Sequence, residues 1–280
     1  MSLAGEIRGL CHALGIRLNK DAGQHFLIDE GILARIVEAG GVTLNDHVIE
    51  IGPGFGVLTR ELLKRAGHVT AIEWDRRFPP VIHGFTGSPK NLTVVNANAL
   101  AVPLPTGRYK IVANIPYHIT SPLLRHAFLE SQCPPQSLTL LIQREVAEKI
   151  CDEHERGLLT IVVALFGHAQ IKGYVPPSAF LPPPKVDSAI LHIASHPQPL
   201  ADAATVSRVL QLVKIGFSQK RKMLRNTIGF LPEGKEILEH AGIDPSRRPQ
   251  TLSVEEWIAL AKANVPHTDG TELTAAESEL

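Results

Sequence analysis

The sequence predicts an α/β fold: a mostly parallel sheet with helices on both faces, followed by a small helical domain. Short apolar strands alternate with helical segments over about two thirds of the 280-residue chain, a pattern typical of parallel sheets. From about Pro199 onward, the pattern changes to helices alone. A glycine-rich turn after the first strand is a third indication, because such turns lie at the ligand-binding edge of these sheets.

The elements follow one another along the chain. The predicted strands are HVIEI, HVTAIE, NLTVVN, YKIVAN, SLTLLIQ, GLLTIVVALFGHAQIKGYV and VDSAILHIAS. Helical spacing predicts helices at Ile32–Gly40, VLTRELLKRAG, SPLLRHAFLE with Ser121 as its cap, and REVAEKI. We expect a first domain at 1–198, a helical domain at 199–264 and a disordered acidic tail at 265–280.

The composition favours a globular protein without a membrane anchor. Apolar residues make up 44% and charged residues 20% of the chain, which is ordinary for globular domains. No apolar run reaches the length of a membrane span, and the N-terminus lacks the apolar core of a secretory signal. The three cysteines form no CxxC pair, and the thirteen histidines form no metal-binding pattern. We therefore expect a cytoplasmic protein with reduced thiols and no metal site.

The net charge of zero hides an uneven distribution. The last sixteen residues contain four acids and no lysine or arginine. Between Ala203 and Pro232 there is no acid but a group of six basic residues: Arg208, Lys214, Lys220, Arg221, Lys222 and Arg225. Basic residues on one helix are typical of a surface that neutralises nucleic-acid phosphates, although a solvated helix face also carries them.

The glycine-rich turn EIGPGFG connects a predicted strand to a predicted helix. Its glycines are Gly52, Gly54 and Gly56, and Val57 stands where a dinucleotide fingerprint needs its third glycine. Glu73 ends the next strand about twenty residues later, where an acid accepts hydrogen bonds from ribose hydroxyls. The combination favours an adenosine-containing ligand such as S-adenosylmethionine. A tight turn beside a solvated acid would give the same pattern.

Asn98 follows the third predicted strand, in the sequence NANAL. Its side-chain oxygen can accept from the exocyclic amine of an adenine, and its amide can donate to a ring nitrogen. An asparagine that closes a loop with its own backbone is an equally good interpretation of this residue alone.

The fourth predicted strand ends in the sequence Asn114, Ile115, Pro116, Tyr117. The amino group of adenine is a poor nucleophile, because its lone pair is delocalised into the ring. Two acceptors at its hydrogens, the Asn114 side-chain oxygen and the Ile115 carbonyl, would release that lone pair. Pro116 would fix the turn, and Tyr117 would offer a ring on which a base stacks, worth roughly 1–3 kcal/mol. Beside the glycine-rich turn, this motif favours methyl transfer to an adenine over a simple strand end.

These motifs resemble those of the KsgA family (also called RsmA), the adenine-N6 dimethyltransferases of small-subunit ribosomal RNA. The resemblance is nearly continuous from about Leu18 to Ala263. The segments that carry it are DAGQHFL, EIGPGFGVLTREL, AIEWDRR, NANAL, VANIPYHITSPLL, QREVAEKI, GYVPPSAFLPPPKVDSAI, FSQKRKMLRN and GIDPSRRPQTLSVEEWIALA. The proline-rich segment and FSQKRKMLRN are too specific to match by chance.

The resemblance implies a Rossmann-like class I S-adenosylmethionine methyltransferase sheet with a small C-terminal all-helical domain. It implies transfer of two methyl groups to each of two adjacent adenosines in the 3′-terminal hairpin loop of small-subunit rRNA, by a monomer acting on a pre-assembled subunit. The target adenine would stack between Tyr117 and Phe180, although Phe180 alone is typical of a core anchor. The residues implied for cofactor binding are His25, Leu27, Gly52, Glu73, Asn98 and Asn114. Those expected to bind RNA are Lys220, Arg221, Lys222 and Arg225.

Two other functions stay open. A large-subunit rRNA adenine-N6 methyltransferase of the macrolide-resistance type shares the NIPY site, but PPPKVDSAI and FSQKRKMLRN favour the small-subunit enzyme. A non-catalytic RNA-binding assembly or transcription factor on the same fold is disfavoured by Asn114, Tyr117 and Phe180. It stays open because His25 and Asn98 stand where the family usually has asparagine and aspartate.

The departure at position 98 gives a first prediction. The substitution Asn98→Asp is expected to tighten S-adenosylmethionine binding about fivefold, because charge-assisted hydrogen bonds are roughly twice as strong as neutral ones. Calorimetric titration of both proteins measures the difference. Equal or weaker binding by the variant would contradict the assignment of Asn98 to the cofactor.

Overall fold

The computed structural model of the protein describes residues 2–16, 24–219 and 221–263. The strands in these ranges are β1 (Phe26–Leu27), β2 (His47–Ile51), β3 (His68–Glu73), β4 (Leu92–Asn96), β5 (Lys110–Asn114), β6 (Ser137–Gln143), β7 (Gly167–Val175), β8 (Phe180–Leu181) and β9 (Ser188–Ser195). The α-helices are α1 (Leu3–Ala13), α2 (Glu30–Ala39), α3 (Val57–Leu63), α4 (Phe78–Thr86), α5 (Thr120–Arg125), α6 (Arg144–Cys151), α7 (Leu158–Phe166), α8 (Ala203–Phe217), α9 (Gly234–His240) and α10 (Val254–Lys262).

The main sheet has the strand order β4-β3-β2-β5-β6-β9-β7. The first five strands in this order are parallel, and β9 and β7 pair antiparallel at the far edge. The mostly parallel sheet predicted from the alternating pattern is therefore confirmed. Because parallel strands end at one edge, the segments that follow β2, β3, β4 and β5 come together there. The cross-strand register pairs Ile51 with Ile72 and Glu73 with Asn96.

A separate two-stranded ribbon joins two distant parts of the chain. β1 pairs antiparallel with β8, so that Phe26 lies opposite Leu181 and Leu27 opposite Phe180. The amide of Ile28 extends the ribbon by donating to the Ala179 carbonyl, at 2.8 Å. The ribbon fixes the segment after the N-terminal region against the proline-rich segment.

Three helical features differ from the sequence predictions. The stretch predicted as one long strand is helix α7 followed by strand β7, because a continuous apolar run does not distinguish a buried helix from a buried strand. Helix α5 already includes Ser121, and Ile119 precedes the helix without a side-chain cap, so Ser121 as cap is wrong. Helix α4 was not predicted, because its two prolines interrupt the pattern. They lie in the first turn, where no amide hydrogen is needed.

The chain divides into two compact units by its internal contacts. The first comprises Met1–Cys151 and Gly167–Pro197 and contains the sheet. The second comprises Asp152–Phe166 and Gln198–Leu280, so it includes a segment that precedes the predicted boundary at 198. In this second unit Trp257 is fully buried and stacks on Phe217, with ring centroids 6.1 Å apart. The predicted acidic tail at 265–280 lies outside the described residues.

Membrane insertion finds no support in the helices. Across the ranges that the structure describes, none of them combines the length and the apolar character that a crossing of the bilayer requires.

Candidate active site

A cleft of about 1240 Å³ opens at the carboxyl edge of the parallel strands. Most pockets for small ligands measure roughly 300–1,000 Å³, so this cleft has room for a nucleoside-type ligand and a second group beside it. It brings together nine of the residues singled out from the sequence: His25, Leu27, Gly52, Glu73, Asn98, Asn114, Ile115, Pro116 and Tyr117.

The carboxylate of Glu73 holds the glycine-rich turn in place. Its Oε2 accepts from the Gly54 amide at 3.0 Å, and its Oε1 accepts from the Asp75 amide at 2.8 Å. Gly54 has a φ of +56°, and a Cβ there would lie 2.5 Å from a ring carbon of Phe26, so only glycine fits. Each Glu73 oxygen keeps a lone pair for a ligand hydroxyl. Burial raises the pKa of Glu73, and the two amide bonds oppose that rise.

Glu50 is a second buried acid at the floor of the cleft. It is only 1% exposed, and its Oε2 has no hydrogen-bond partner among the described residues. Burial, aided by the charge of Glu73, raises the pKa of Glu50 to about 8, and the nearby Thr59 opposes part of that rise, although its Oγ1 does not reach hydrogen-bonding geometry. A buried polar atom without a partner is rare in folded proteins, so this oxygen at the cleft is a candidate contact for a ligand. The sequence showed an acid in front of the turn but not its burial.

Asn114 has one orientation fixed by the backbone. Its Nδ2 donates to the His25 carbonyl oxygen at 3.1 Å. Since this bond uses the nitrogen end of the amide, the Oδ1 end remains as an acceptor at the cleft. The acceptor that the sequence predicted is therefore available.

Tyr117 follows Asn114 in a short 3₁₀ helix, Tyr117–Ile119, that begins after the extended Pro116. Its hydroxyl is hydrogen-bonded to Ser188 Oγ at 2.7 Å, and burial raises the pKa of the Tyr117 phenol. Ser188 itself is fully buried at the start of β9. The bond thus anchors the polar end of the ring in the protein and leaves the ring among the cleft residues.

His25 lies beside Tyr117. Its Nδ1 is 2.8 Å from the Pro182 carbonyl oxygen, and because a carbonyl only accepts, Nδ1 is the protonated nitrogen. The two rings are nearly parallel, with an interplanar angle of 22° and centroids 6.0 Å apart.

Asn98 and Trp74 flank the cleft near Glu73. Asn98 is exposed, and its Oδ1 accepts a hydrogen bond from the Leu100 amide at 3.0 Å. This is the contact that the loop-closing interpretation requires. The same oxygen retains a second lone pair. Trp74 is 73% exposed although it lines the cleft. Sequence reasoning did not single it out; the signal was an aromatic residue directly after Glu73.

Phe180 is not among the cleft residues. It is 2% exposed and belongs to the apolar core beside Leu27. The ribbon of β1 and β8 holds the backbone of Phe180 at this place. The role of Phe180 in stacking the target adenine stays a prediction.

The basic residues lie in the second unit. Arg221, Lys222 and Arg225 are exposed, whereas Lys220 lies outside the described residues. Helix α8 ends at Phe217, and Arg225 lies in the 3₁₀ helix Leu224–Asn226. The expectation of one basic helix is therefore wrong for these three residues.

Metal binding is not indicated by the side chains that the structure describes. No group of three or more His, Cys, Asp or Glu side chains within 2–16, 24–219 and 221–263 could hold a metal ion.

Comparison with known proteins relates the chain to one family. The model of a family described as ribosomal RNA adenine dimethylase matches residues 15–264. A ribosomal RNA small subunit methyltransferase A from Dehalococcoides mccartyi is 38% identical over 273 residues, which cover 91% of each chain. One of the same description from Magnetococcus marinus is 37% identical over 276 residues, 95% of this chain and 99% of the relative.

Solved structures share the fold. A dimethyladenosine transferase from Plasmodium falciparum has a TM-score of 0.73 and 29% identity, over 84% of this chain and 96% of the other. The 23S rRNA methyltransferase ErmE has a TM-score of 0.67 and 29% identity, over 85% of this chain and 98% of the other. The Rossmann-like methyltransferase fold with a C-terminal helical part is therefore confirmed.

The burial of Glu50 predicts a pH dependence of stability. The folded chain keeps the Glu50 proton up to about pH 8, whereas an unfolded glutamate loses it near pH 4.3. The folded state therefore binds the extra proton within this window, and its stability falls as pH rises. Glu50→Gln has no proton to lose at this position, so its free energy of unfolding should not show this fall. We expect the difference in free energy of unfolding, variant minus wild type, to grow with pH by up to about 1.4 kcal/mol per pH unit.

Urea unfolding of both proteins between pH 5 and 8 measures this difference. Glu38→Gln is the matched control, because Glu38 is an exposed acid on α2 and its carboxylate is already solvated. If the curves of wild type and Glu50→Gln run parallel, Glu50 does not retain its proton.

Proposed function

The chain belongs to the ribosomal RNA adenine dimethylase family, and on that premise we propose that it methylates adenines of small-subunit ribosomal RNA. It transfers methyl groups from S-adenosylmethionine to N6 of two adjacent adenosines in the 3′-terminal hairpin loop, during ribosome biogenesis. The observation that supports this most directly is the fixed Asn114 amide. Its free oxygen lies with Tyr117 at the same cleft as the Gly52 turn.

The cleft residues fit S-adenosylmethionine by their chemistry. Glu73 would accept hydrogen bonds from the ribose hydroxyls, and Gly52 and Gly54 would let the backbone approach the ligand closely. Glu50 would release its proton and pair with the ammonium group of the cofactor through its orphaned oxygen, and the exposed Trp74 would offer a flat apolar face. Leu27, Asn98 and Asn114 complete the proposed cofactor site. When bound, S-adenosylmethionine supplies a methyl group on a positively charged sulfur, which is an excellent leaving group.

Asn114 and Ile115 activate the target amine. The Asn114 Oδ1 and the Ile115 carbonyl each accept a hydrogen bond from the amino group, so that its nitrogen becomes pyramidal and its lone pair is released from the ring. The nitrogen that has gained the methyl group then loses one proton to solvent. Tyr117 stacks on the base, at a gain of roughly 1–3 kcal/mol. Neutral acceptors suffice, because holding the reacting atoms in place supplies most of the rate enhancement in such a transfer.

The substrate is RNA that has already been assembled with protein, and the enzyme acts as a monomer in the cytoplasm. Curated relatives that are 37–38% identical over nine tenths of the chain bear the small-subunit name, whereas the 23S enzyme is 29% identical. The small-subunit substrate is therefore favoured over the large-subunit one. Arg221, Lys222 and Arg225 are exposed cations suited to phosphates, and Lys220 completes the proposed RNA-binding set.

Mapping of the modified adenosines tests the proposal. Purified protein is incubated with labelled S-adenosylmethionine and either small or large subunits from an under-methylated source. We expect label on two adjacent adenosines of the small subunit. Label on the large subunit would favour the macrolide-resistance type of enzyme, and RNA binding without any transfer would favour a non-catalytic assembly factor.

Removal of the Asn114 amide tests the activation of the amine. Asn114→Ala is expected to lower methyl transfer by about 100-fold or more, as loss of one positioned hydrogen-bonding group does in other enzymes. Binding to the small subunit is expected to persist. Asn45→Ala, an exposed asparagine outside the cleft, serves as the control. Near-normal transfer by Asn114→Ala would refute the proposed role.

Neutralisation of the basic residues tests the RNA contact. The double variant Arg221→Ala, Arg225→Ala is expected to reduce the slope of log affinity against log salt by about 2, roughly one for each lost phosphate contact. Filter binding to small-subunit RNA at several salt concentrations measures the slope. Lys235→Ala changes an exposed lysine of the same unit outside this stretch, and its slope is expected to match the wild type. An unchanged slope for the double variant would exclude these two residues from the contact.

A further inference from the structure

The second unit presents one highly exposed aromatic ring. Phe230 is 79% exposed, more than any other large apolar side chain among the described residues. A single apolar residue on a surface is ordinary and by itself indicates no function. Two features of its surroundings, a fixed backbone and a group of exposed cations, distinguish Phe230 from such a residue.

Hydrogen bonds and a buried base fix the backbone of Phe230. Phe230 ends the 3₁₀ helix Ile228–Phe230, and its amide donates to the Thr227 carbonyl at 3.2 Å. Thr227 in turn donates to the Leu224 carbonyl through its amide, at 3.1 Å, and through its hydroxyl, at 3.3 Å. Ile228 and Leu224 are fully buried. The ring therefore projects from a fixed point, so that less conformational entropy is lost when a ligand stacks on it.

Exposed cations lie next to this framework. The 3₁₀ helix that contains Arg225 packs beside the one that contains Phe230, since a Cβ at Gly229 would lie 3.8 Å from the Cβ of Arg225. Arg221 and Lys222 come shortly before Arg225, and all three are exposed. They belong to the stretch of the sequence that has no acid. The aromatic ring thus borders a surface suited to phosphates.

The size of the exposed apolar area indicates what stacks on it. The neighbours of Phe230 in the chain, Gly229 and Leu231, are buried and half-buried. The next most exposed large apolar side chain that the structure describes in this unit is Leu200, at 43%. A protein partner buries about 800 Å² on each side of a stable interface, far more than one ring, whereas a nucleic-acid base matches one ring in area. Unpaired strands are bound by this combination of an aromatic face for a base and cations for the backbone.

We propose that an unpaired base of ribosomal RNA stacks on Phe230, beside the phosphates that Arg221, Lys222 and Arg225 bind. The inference rests on the proposed function, because it names a further contact to the same RNA. It assigns Phe230 to binding and gives it no part in the transfer of the methyl group.

Three substitutions separate stacking from charge and from apolar bulk. Phe230→Ala is expected to weaken binding to small-subunit RNA about tenfold, the loss typical of one stacked base, without a change in the slope of log affinity against log salt, since no phosphate contact is lost. Phe230→Leu keeps apolar bulk but no flat face, and a loss of at least about fivefold is expected. Phe230→Trp is expected to bind at least as tightly as the wild type. Filter binding at several salt concentrations measures affinity and slope, with deproteinised RNA and with under-methylated small subunits.

A fluorescence measurement and a matched control complete the experiment. In Phe230→Trp the added indole is expected to lose fluorescence when RNA binds, relative to the wild type, whose signal comes from Trp74 and Trp257. Leu44→Ala removes a similarly exposed apolar side chain, 75% exposed, from the first unit, and its affinity is expected to match the wild type. The kcat of every variant is expected within about twofold of the wild type, because the contact contributes to binding alone. Thermal unfolding checks that each variant folds.

Four results would overturn the inference. These are an unchanged affinity in Phe230→Ala, full affinity in Phe230→Leu, a loss with assembled subunits but none with deproteinised RNA, and an added indole whose fluorescence RNA leaves unchanged. The third result would assign the ring to a ribosomal protein. A wild type that binds the RNA but transfers no methyl group would refute the proposed function and leave the stacking contact standing, whereas a wild type that does not bind this RNA would refute both.

Discussion

The hydrogen bond from Asn114 Nδ2 to the His25 carbonyl is the contact on which the site depends. A primary amide can turn over and exchange its donor and acceptor ends, and only one orientation presents an oxygen to an amine. The bond selects that orientation at 3.1 Å. It also joins the end of β5 to the segment before β1, two parts of the chain that no sheet pairing connects. Misplacement of the N-terminal segment would therefore misorient the amide at the far end of the central strand.

The two acids of the cleft show how one edge of a sheet creates two different environments. Glu73 is buried but receives two backbone amides, which let its carboxylate organise the turn. Glu50 is buried more deeply, and its Oε2 has no such donor among the described residues. A carboxyl that is destabilised in the free protein gains most from a cationic ligand, since the ligand replaces lost solvation. The burial of the Glu50 carboxyl lowers the stability of the free protein, and such a cost is typical of a residue that lines a ligand-binding cleft.

The sequence was most informative where a local pattern has one structural solution. Strand ends in a parallel sheet share an edge, so the positions of Gly52, Glu73, Asn98 and Asn114 at one cleft followed from the order of the elements. The sequence was less informative where the burial of a residue in the folded chain decides its structure or its role. The apolar run of α7 suits a helix or a strand equally, and the register of β1 with β8 places Phe180 in the core. The bond between His25 and Pro182 spans 157 positions, and no spacing rule predicts it.

The way in which Asn114 is held also explains why the chain tolerates a histidine at position 25. The acceptor for the amide is the backbone oxygen of that residue, and every amino acid supplies one. The side chain at position 25 can therefore differ from the asparagine usual in the family without turning the Asn114 amide. The side chain at position 25 must still fit beside the Tyr117 ring and supply a donor for the Pro182 carbonyl. A planar ring with one N–H group meets both requirements. The backbone of this residue thus orients the Asn114 amide whichever side chain the position carries.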